Sequence, residues 1–230
     1  MKTKNYERFS SEIKRHVLAD AVIQGEYWKP GDNEAGGRGC FIGCLSHGDM
    51  AEPLESEYGV PTALVRLCEG IFEALPADEA KKFFSDMDGA VGRDGKDLTR
   101  VVWAFLASEL KQLPVISETT KAVIDGMILL SKGLEWPSAA DSSYAAAYAA
   151  ADAAAVADAY YADAAAAYAA YAADAAAPYA AYAADAAAGA AADAAWYVAA
   201  ATRSWYAYAD ARKDARARQA KTLLQLITDA

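Results

Sequence analysis

Two cysteines and a histidine stand close together before residue 50. Cys40, Cys44 and His47 have the spacing C-x3-C-x2-H. Thiolates and imidazoles are the ligands that structural zinc prefers, usually four of them in two close pairs. Cys68 and His16 are available elsewhere as a fourth ligand, although a second close pair is missing. The segment therefore predicts a candidate zinc site at Cys40, Cys44 and His47.

The same residues allow two other interpretations. A nucleophilic thiol needs a base nearby, and His47 lies three residues after Cys44. The structural alternative is that the cysteines are small buried side chains packed among glycines, with His47 at the edge of a loop. The structural alternative is favoured, and a thiol- or zinc-dependent enzyme or sensor is the competing hypothesis.

Other motifs that would indicate an enzyme are missing from the sequence. The segment DMDGAVGRDGKD, which begins at Asp86, resembles a calcium loop, but its sixth position is Val91 instead of glycine and its twelfth is Asp97 instead of glutamate. A solvated turn is the better interpretation. The chain also has no phosphate-binding loop and no G-x-S-x-G sequence. We therefore expect a protein without catalytic residues.

Apolar residues spaced by three and four predict that the front of the chain is helical. One helix is predicted over residues 5–24 and ends at Gly25. Another begins after Pro61, which suits a helix start. Its apolar face is formed by Leu64, Leu67, Cys68, Ile71, Phe72 and Leu75. Weaker patterns predict further helices over residues 78–85, 97–111 and 117–132.

The segment that contains the cysteines is rich in glycine. Residues 27–39 are predicted to form a loop, with a small hairpin around Cys40 as the alternative. Gly39 and Gly43 bracket a short apolar run, which indicates a close backbone approach to a neighbouring helix or to a ligand.

The back of the chain repeats every eleven residues and is dominated by alanine. Eleven residues over three turns give about 3.67 residues per turn, so each repeated position stays on nearly one line along a helix. The aspartate line comprises Asp141, Asp152, Asp163, Asp174 and Asp185. Two adjacent lines comprise Tyr160, Tyr171 and Tyr182 and then Tyr168 and Tyr179. The pattern predicts an alanine-rich helical hairpin or bundle.

The composition changes near Pro137. This predicts an all-α protein with a helical globular module, residues 1–137, followed by a repeat region, residues 138–230, which we call the tail. The last apolar run of the tail is expected to pack on the front module. It comprises Leu223, Leu224, Leu226 and Ile227.

The net charge limits which partners are expected, and the cysteine count indicates the cellular compartment. The 230 residues include 22 basic and 32 acidic ones, a net charge of −10. Phosphate binding needs a basic surface, so nucleic acid is a poor direct partner and a basic protein surface is a better one. An odd number of cysteines and a start without an apolar signal segment predict a reducing, cytoplasmic location. Aspartates interrupt the alanine tract, so no membrane span is expected.

Three segments carry a resemblance that covers nearly the whole chain. They are YWKPGDNEAGGRGCFIGCLSHGD, YGVPTALVRLCEGIFEALP and the alanine-rich tail that ends in AKTLLQLI. Together they resemble a family of bacterial and phage-encoded proteins with a glycine-cysteine (GRGCxIGC) front module and an alanine-rich helical back end. The most specific parts are Gly39–Cys44 and the helix from Pro61 to Pro76. Since no activity is established for the family, the resemblance implies an architecture and no mechanism.

Taken together, these features predict a non-enzymatic protein-interaction module, carried by a phage or mobile element and directed against a host defence complex. An acidic tail surface would bind the partner, and no cofactor other than the candidate zinc is indicated. An oligomerisation protein, with the tail joining copies of the chain, is a third hypothesis. The predicted partner-binding residues are Asp152, Asp163, Asp174, Asp185, Tyr168, Tyr171, Tyr179 and Tyr182.

Overall fold

The computed structural model describes residues 2–112, 118–135 and 205–230, and the side chains of the last two ranges from residues 121 and 213 onwards. Pro137 and all predicted partner-binding residues of the tail lie outside these ranges. Helices dominate the described residues, so the all-α prediction is confirmed. The helices are α1 Tyr6–Leu18, α2 Phe41–Ser46, α3 Glu52–Tyr58, α4 Thr62–Ala74, α5 Ala77–Val91, α6 Val101–Leu110, α7 Glu118–Ser131 and α8 Trp205–Asp229. A two-stranded hairpin is formed by β1 Trp28–Pro30 and β2 Gly37–Gly39.

The chain is divided into two compact units. The first comprises Met1–Thr99 together with Ala220–Ala230, and the second comprises Arg100–Gln219. In the first unit α2 packs against α1, α3 and α4, and α5 packs against α1 and α4. In the second unit α6 packs against α7. None of the helices in the described ranges is long and apolar enough to cross a membrane.

Aromatic side chains form the centre of the first unit. Phe41, at the start of α2, lies with its ring centroid 5.6 Å from that of Phe84, 6.1 Å from Phe83 and 6.4 Å from Phe72. Ring contacts of this kind add to the free energy of apolar burial. This short helix is therefore held at the middle of the core by its first residue.

Helix α1 is shorter than predicted. It ends at Leu18, six residues before the predicted end at residue 24, and Asp20 has a left-handed backbone with φ of 48°. Beyond it the chain pairs with Gly39, whose N–H donates to the Ala21 carbonyl and whose carbonyl accepts from Ile23 N–H. The apolar spacing continued past the helix because Ala21 and Val22 are buried in an extended segment.

The predicted loop over residues 27–39 is a hairpin in the structure. Its strands are antiparallel, with Trp28 opposite Gly39 and Pro30 opposite Gly37. Asn33 closes the turn, because its side-chain amide donates to the Gly37 carbonyl at 2.8 Å and its side-chain oxygen accepts from Gly37 N–H at 2.8 Å. Glycine and proline made the segment look like a loop, but here they belong to a tight turn between short strands.

The helices predicted after Pro61 and over residues 117–132 are confirmed as α4 and α7. The helix predicted over residues 97–111 is α6, which begins four residues later, at Val101. Helix α5 is longer than the predicted 78–85, since it runs from Ala77 to Val91. The next residue, Gly92, has a left-handed backbone with φ of 66° and caps the helix. Asp86 and Asp88 lie on this helix, so only the later part of the acidic segment is a turn.

The end of α8 belongs to the same unit as residues 1–99, which confirms that the last apolar run packs on the front of the chain. Leu223 and Ile227 are fully buried. The buried ammonium group of Lys96 donates to the carbonyls of Ala90, Ile227 and Thr228 at 2.7 to 2.8 Å. A cation at the C-terminus of a helix satisfies carbonyls that have no partner within the helix and interacts favourably with the helix dipole.

Candidate functional site

The C-x3-C-x2-H motif spans α2 from end to end. Cys40 is the residue before the helix and His47 the residue after it, with a left-handed backbone at φ of 53°. A helix of six residues is about 9 Å long. The motif's first and last residues therefore lie in different surroundings. His47 is grouped with Glu12 and His16, which we call the histidine cluster, and Cys40 with Glu69 and Glu73, which we call the thiol cluster.

Two glycines allow α2 to approach the start of the hairpin. A Cβ atom on Gly43 would lie 1.2 Å from the Tyr27 carbonyl oxygen, and one on Gly39 would lie 2.0 Å from it. The predicted close backbone approach is confirmed. The neighbour is the chain that enters β1, and this contact brings Trp28 to the end of α2 where His47 lies.

Two members of the thiol cluster are buried and the third, Glu73, is exposed. Cys40 is 1% exposed and Glu69 is 9% exposed. The Glu69 carboxylate accepts from the Ile42 N–H at 2.9 Å, in the first turn of α2, and the Cys40 thiol donates to the Tyr27 carbonyl with 3.8 Å between Sγ and oxygen. The Glu73 carboxylate accepts from Gly25 N–H at 2.9 Å. A carboxylate at a helix N-terminus is favourable, so Glu69 has a structural role.

Burial keeps the thiols protonated. It raises the pKa of the Cys44 thiol to about 12 and raises the pKa values of Cys40 and Cys68 still further above the ordinary value. The Cys44 thiol donates to the Gly39 carbonyl, with 3.1 Å between Sγ and oxygen. A cysteine nucleophile reacts as the thiolate, so these features argue for the structural interpretation of the cysteines.

The histidine cluster joins α1 to the end of α2. Glu12 and His16 are one turn apart on α1, and His47 Nε2 lies 3.3 Å from Glu12 Oε2. His16 Nδ1 lies 3.8 Å from the same carboxylate oxygen. The Trp28 ring stacks on His47, with centroids 4.7 Å apart, and its edge meets His16 at 5.6 Å. The Arg15 guanidinium pairs with the Glu12 carboxylate at the rim of the cluster.

A hydrogen bond fixes the tautomer of His16. His16 Nδ1 lies 2.8 Å from the Glu12 carbonyl oxygen, which can only accept, so Nδ1 carries the proton. His16 Nε2 then has a lone pair, and it is buried with no hydrogen-bond partner. Burial lowers the pKa of His16, which favours the neutral ring. His47 Nε2 lies between a donor and an acceptor, 3.0 Å from Arg15 Nη2 and 3.3 Å from Glu12 Oε2.

The histidine cluster is buried on one side and reaches solvent on the other. The exposed fraction of the side chain is 0% for His16, 16% for Glu12 and 41% for His47. A small ion can therefore reach the cluster from water. In the thiol cluster the exposed member is Glu73, and the Cys40 thiol is buried.

The structure groups His47 with Glu12 and His16 and groups Cys40 with Glu69 and Glu73 instead. Glu12, Arg15, Trp28 and Glu69 were not predicted as site residues. The four-residue spacing of Glu12 and His16 on a predicted helix indicates side chains on one face. The stacking of Trp28 on His47 depends on the hairpin, which the sequence offered only as the alternative to a loop.

No family model, curated protein or solved structure matches this chain.

Proposed function

We propose that this chain is a non-enzymatic protein-interaction module whose acidic tail binds a basic surface on a partner protein. The observation that carries the proposal is the charge pattern of the tail. From Asp141 to Thr202 it has seven aspartates and neither lysine nor arginine. A regular line of one charge attracts a complementary surface and accelerates association with it.

The described C-terminal end of the tail supports the design of a test. The last residues of α8 belong to the first unit, where the Ile227 carbonyl accepts from the Lys96 ammonium group. The aspartate line lies earlier in the sequence, so replacing it leaves these contacts unchanged.

The resemblance to phage-encoded proteins suggests the kind of partner. We propose a host defence complex that binds nucleic acid, whose basic groove the aspartate line would occupy in place of phosphates. Such a partner would bind less tightly as salt concentration rises, because salt screens interactions between exposed charges.

The test replaces Asp152, Asp163, Asp174 and Asp185 by asparagine in the full chain. Binding partners are captured from a lysate of the cells that carry the gene, at low and at high salt, and are compared with those of the unmodified protein. We expect the partner to be lost from the variant, and its capture by the unmodified protein to fall at high salt.

A matched control removes four negative charges elsewhere. Asp32, Glu34, Asp49 and Asp125 are exposed residues of the described ranges, and their amide variants should keep the partner. Retained binding by the tail variant, with an unchanged salt dependence, would contradict the proposal.

The two competing functions make different predictions. A thiol-dependent enzyme needs an accessible thiolate, and the burial of Cys40, Cys44 and Cys68 counts against it. An oligomerisation protein would change its mass with concentration. Light scattering that gives the mass of a single chain at all concentrations would exclude that hypothesis.

A further inference from the structure

We propose that Glu12, His16 and His47 bind a divalent transition metal ion of the zinc type. The three residues offer two imidazoles and one carboxylate, and one ligand atom from each lies within 4.8 Å of the other two. This is a different site from the predicted Cys40, Cys44 and His47 set, and it is independent of partner binding by the tail.

The composition of the cluster suits an ion of this class. Zinc binds two histidines and one glutamate in sites where water or another ligand completes the tetrahedral coordination. Here the partial exposure of His47 leaves a side open to water, and the other two ligands are fixed on one face of α1. The fourth ligand would therefore come from solvent.

His16 is in the tautomer that a metal needs. The hydrogen bond from its Nδ1 to the Glu12 carbonyl leaves the lone pair on Nε2. Metal-binding histidines commonly donate the other ring N–H to a backbone carbonyl, which orients the ring. His16 makes this bond, and its buried Nε2 has no other partner. A metal ion would supply one.

The spacing of the other two ligands agrees with tetrahedral coordination. Two ligand atoms at about 2.0 Å from a tetrahedral ion lie about 3.3 Å apart. His47 Nε2 and Glu12 Oε2 are 3.3 Å apart. These two atoms could bind one ion with little change in their separation.

Arg15 shows that the position between these two atoms favours a cation. Its Nη2 pairs with Glu12 Oε2 and lies 3.0 Å from His47 Nε2, so the guanidinium interacts with the two atoms that would bind the ion. The ion must displace it. The Arg15 side chain is 40% exposed and its Nε has no partner, so it can turn towards solvent. Metal affinity is consequently lower than it would be without Arg15.

The test is equilibrium dialysis of the full chain against zinc chloride, with zinc and protein measured in the same sample. We expect one zinc per chain. Glu12→Gln keeps the shape of the side chain, and His47→Asn keeps a residue that tolerates the left-handed backbone. Each variant should bind zinc more than about 100-fold more weakly. Mutation of a residue that only hydrogen-bonds to a metal ligand already lowers metal affinity about 10- to 100-fold. Arg15→Gln should bind it more tightly.

Two controls separate this site from others. Glu7→Gln removes an exposed carboxylate from the same helix, and Cys44→Ala removes a thiol of the predicted set; both should bind zinc as the unmodified protein does. Thermal unfolding verifies that each variant is folded. The proposal is overturned if the unmodified chain binds no zinc stoichiometrically, or if Cys44→Ala loses the zinc while folded His47→Asn retains it.

Discussion

The two ends of α2 carry the first and the last residue of one sequence motif, and they differ in access and in chemistry. At the start of the helix Cys40 and Glu69 are buried, and each is hydrogen-bonded to the backbone, the Cys40 thiol to the Tyr27 carbonyl and the Glu69 carboxylate to the Ile42 N–H. At its end His47 is 41% exposed and meets Glu12 and Arg15. The first end can hold the helix in place, and the second can bind a ligand from water.

The difference shows that spacing in sequence does not make residues one site. Cys40 and His47 are seven residues apart, but the helix between them separates their side chains. The partners at each end come from other elements, with α1 supplying Glu12 and His16 and α4 supplying Glu69. The predictions below test this division between a closed thiol end and an open histidine end.

The largest expected effect is protection of the thiols. At pH 8 a thiol whose pKa is about 12, as for Cys44, has a thiolate fraction lower by roughly 1,000-fold than an ordinary cysteine. Alkylation by iodoacetamide, followed by mass spectrometry, should therefore be slower by about that factor in the folded protein than in urea. A cysteine that reacts in the folded protein as fast as in the unfolded chain would contradict the closed thiol end.

Gly43→Ala should be the most destabilising of the single substitutions in α2. The added Cβ would overlap the Tyr27 carbonyl oxygen at 1.2 Å, and overpacking costs about 1 to 3 kcal/mol, with the larger values expected where the obstacle is backbone. Urea unfolding measures the change.

Gly48→Ala is the matched control just beyond α2. Its Cβ would meet nothing nearer than the Ser46 hydroxyl at 3.8 Å, so its free energy of unfolding should stay close to that of the unmodified protein. Equal stability of the Gly43 and Gly48 variants would show that the close approach to Tyr27 is unimportant.

Glu69→Gln should have a smaller effect at the closed end. The substitution replaces the carboxylate that accepts from the Ile42 N–H, and weakening the only hydrogen bond of a buried donor costs about 1 to 3 kcal/mol. Glu73→Gln, at the more exposed carboxylate of the same cluster, should cost less. Chemical denaturation of both variants compares them, and the reverse order would contradict a structural role for Glu69.

The cost of Glu69→Gln should also depend on pH. Burial raises the pKa of Glu69, so the folded protein holds this proton more tightly than the unfolded chain. The associated stability is fully present below the unfolded pKa and is lost as pH rises through the folded pKa. The substitution should therefore cost more near pH 4 than near pH 8, and denaturant titrations at the two values measure the difference. A destabilisation by Glu69→Gln that grows as pH rises would contradict this prediction.

Much of the fold was predictable because apolar spacing is a local property. The face of α4, from Leu64 to Phe72, is regular in the sequence and buried in the structure. The early end of α1 was missed because it depends on Gly39 pairing with Ala21 and Ile23, and the hairpin was only the alternative to a loop because it depends on Trp28 pairing with Gly39. Such pairing between distant residues leaves little trace in spacing.

The candidate site was predictable only in part for the same reason. His47 was identified from its own residue type, whereas its ligand partners come from α1 and its stacking partner, Trp28, from the hairpin. The burial that keeps Cys44 protonated is likewise a property of the packed core.

The division between the two ends of α2 is tested most directly by the absorption spectrum of the full chain with one equivalent of Co²⁺. Cobalt bound by histidine and carboxylate absorbs visible light, and thiolate ligands add a charge-transfer band in the near ultraviolet. We predict the visible bands without the thiolate band, and their loss in His47→Asn. A thiolate band that disappears in Cys44→Ala would contradict the account, because it would place the metal at the thiol end.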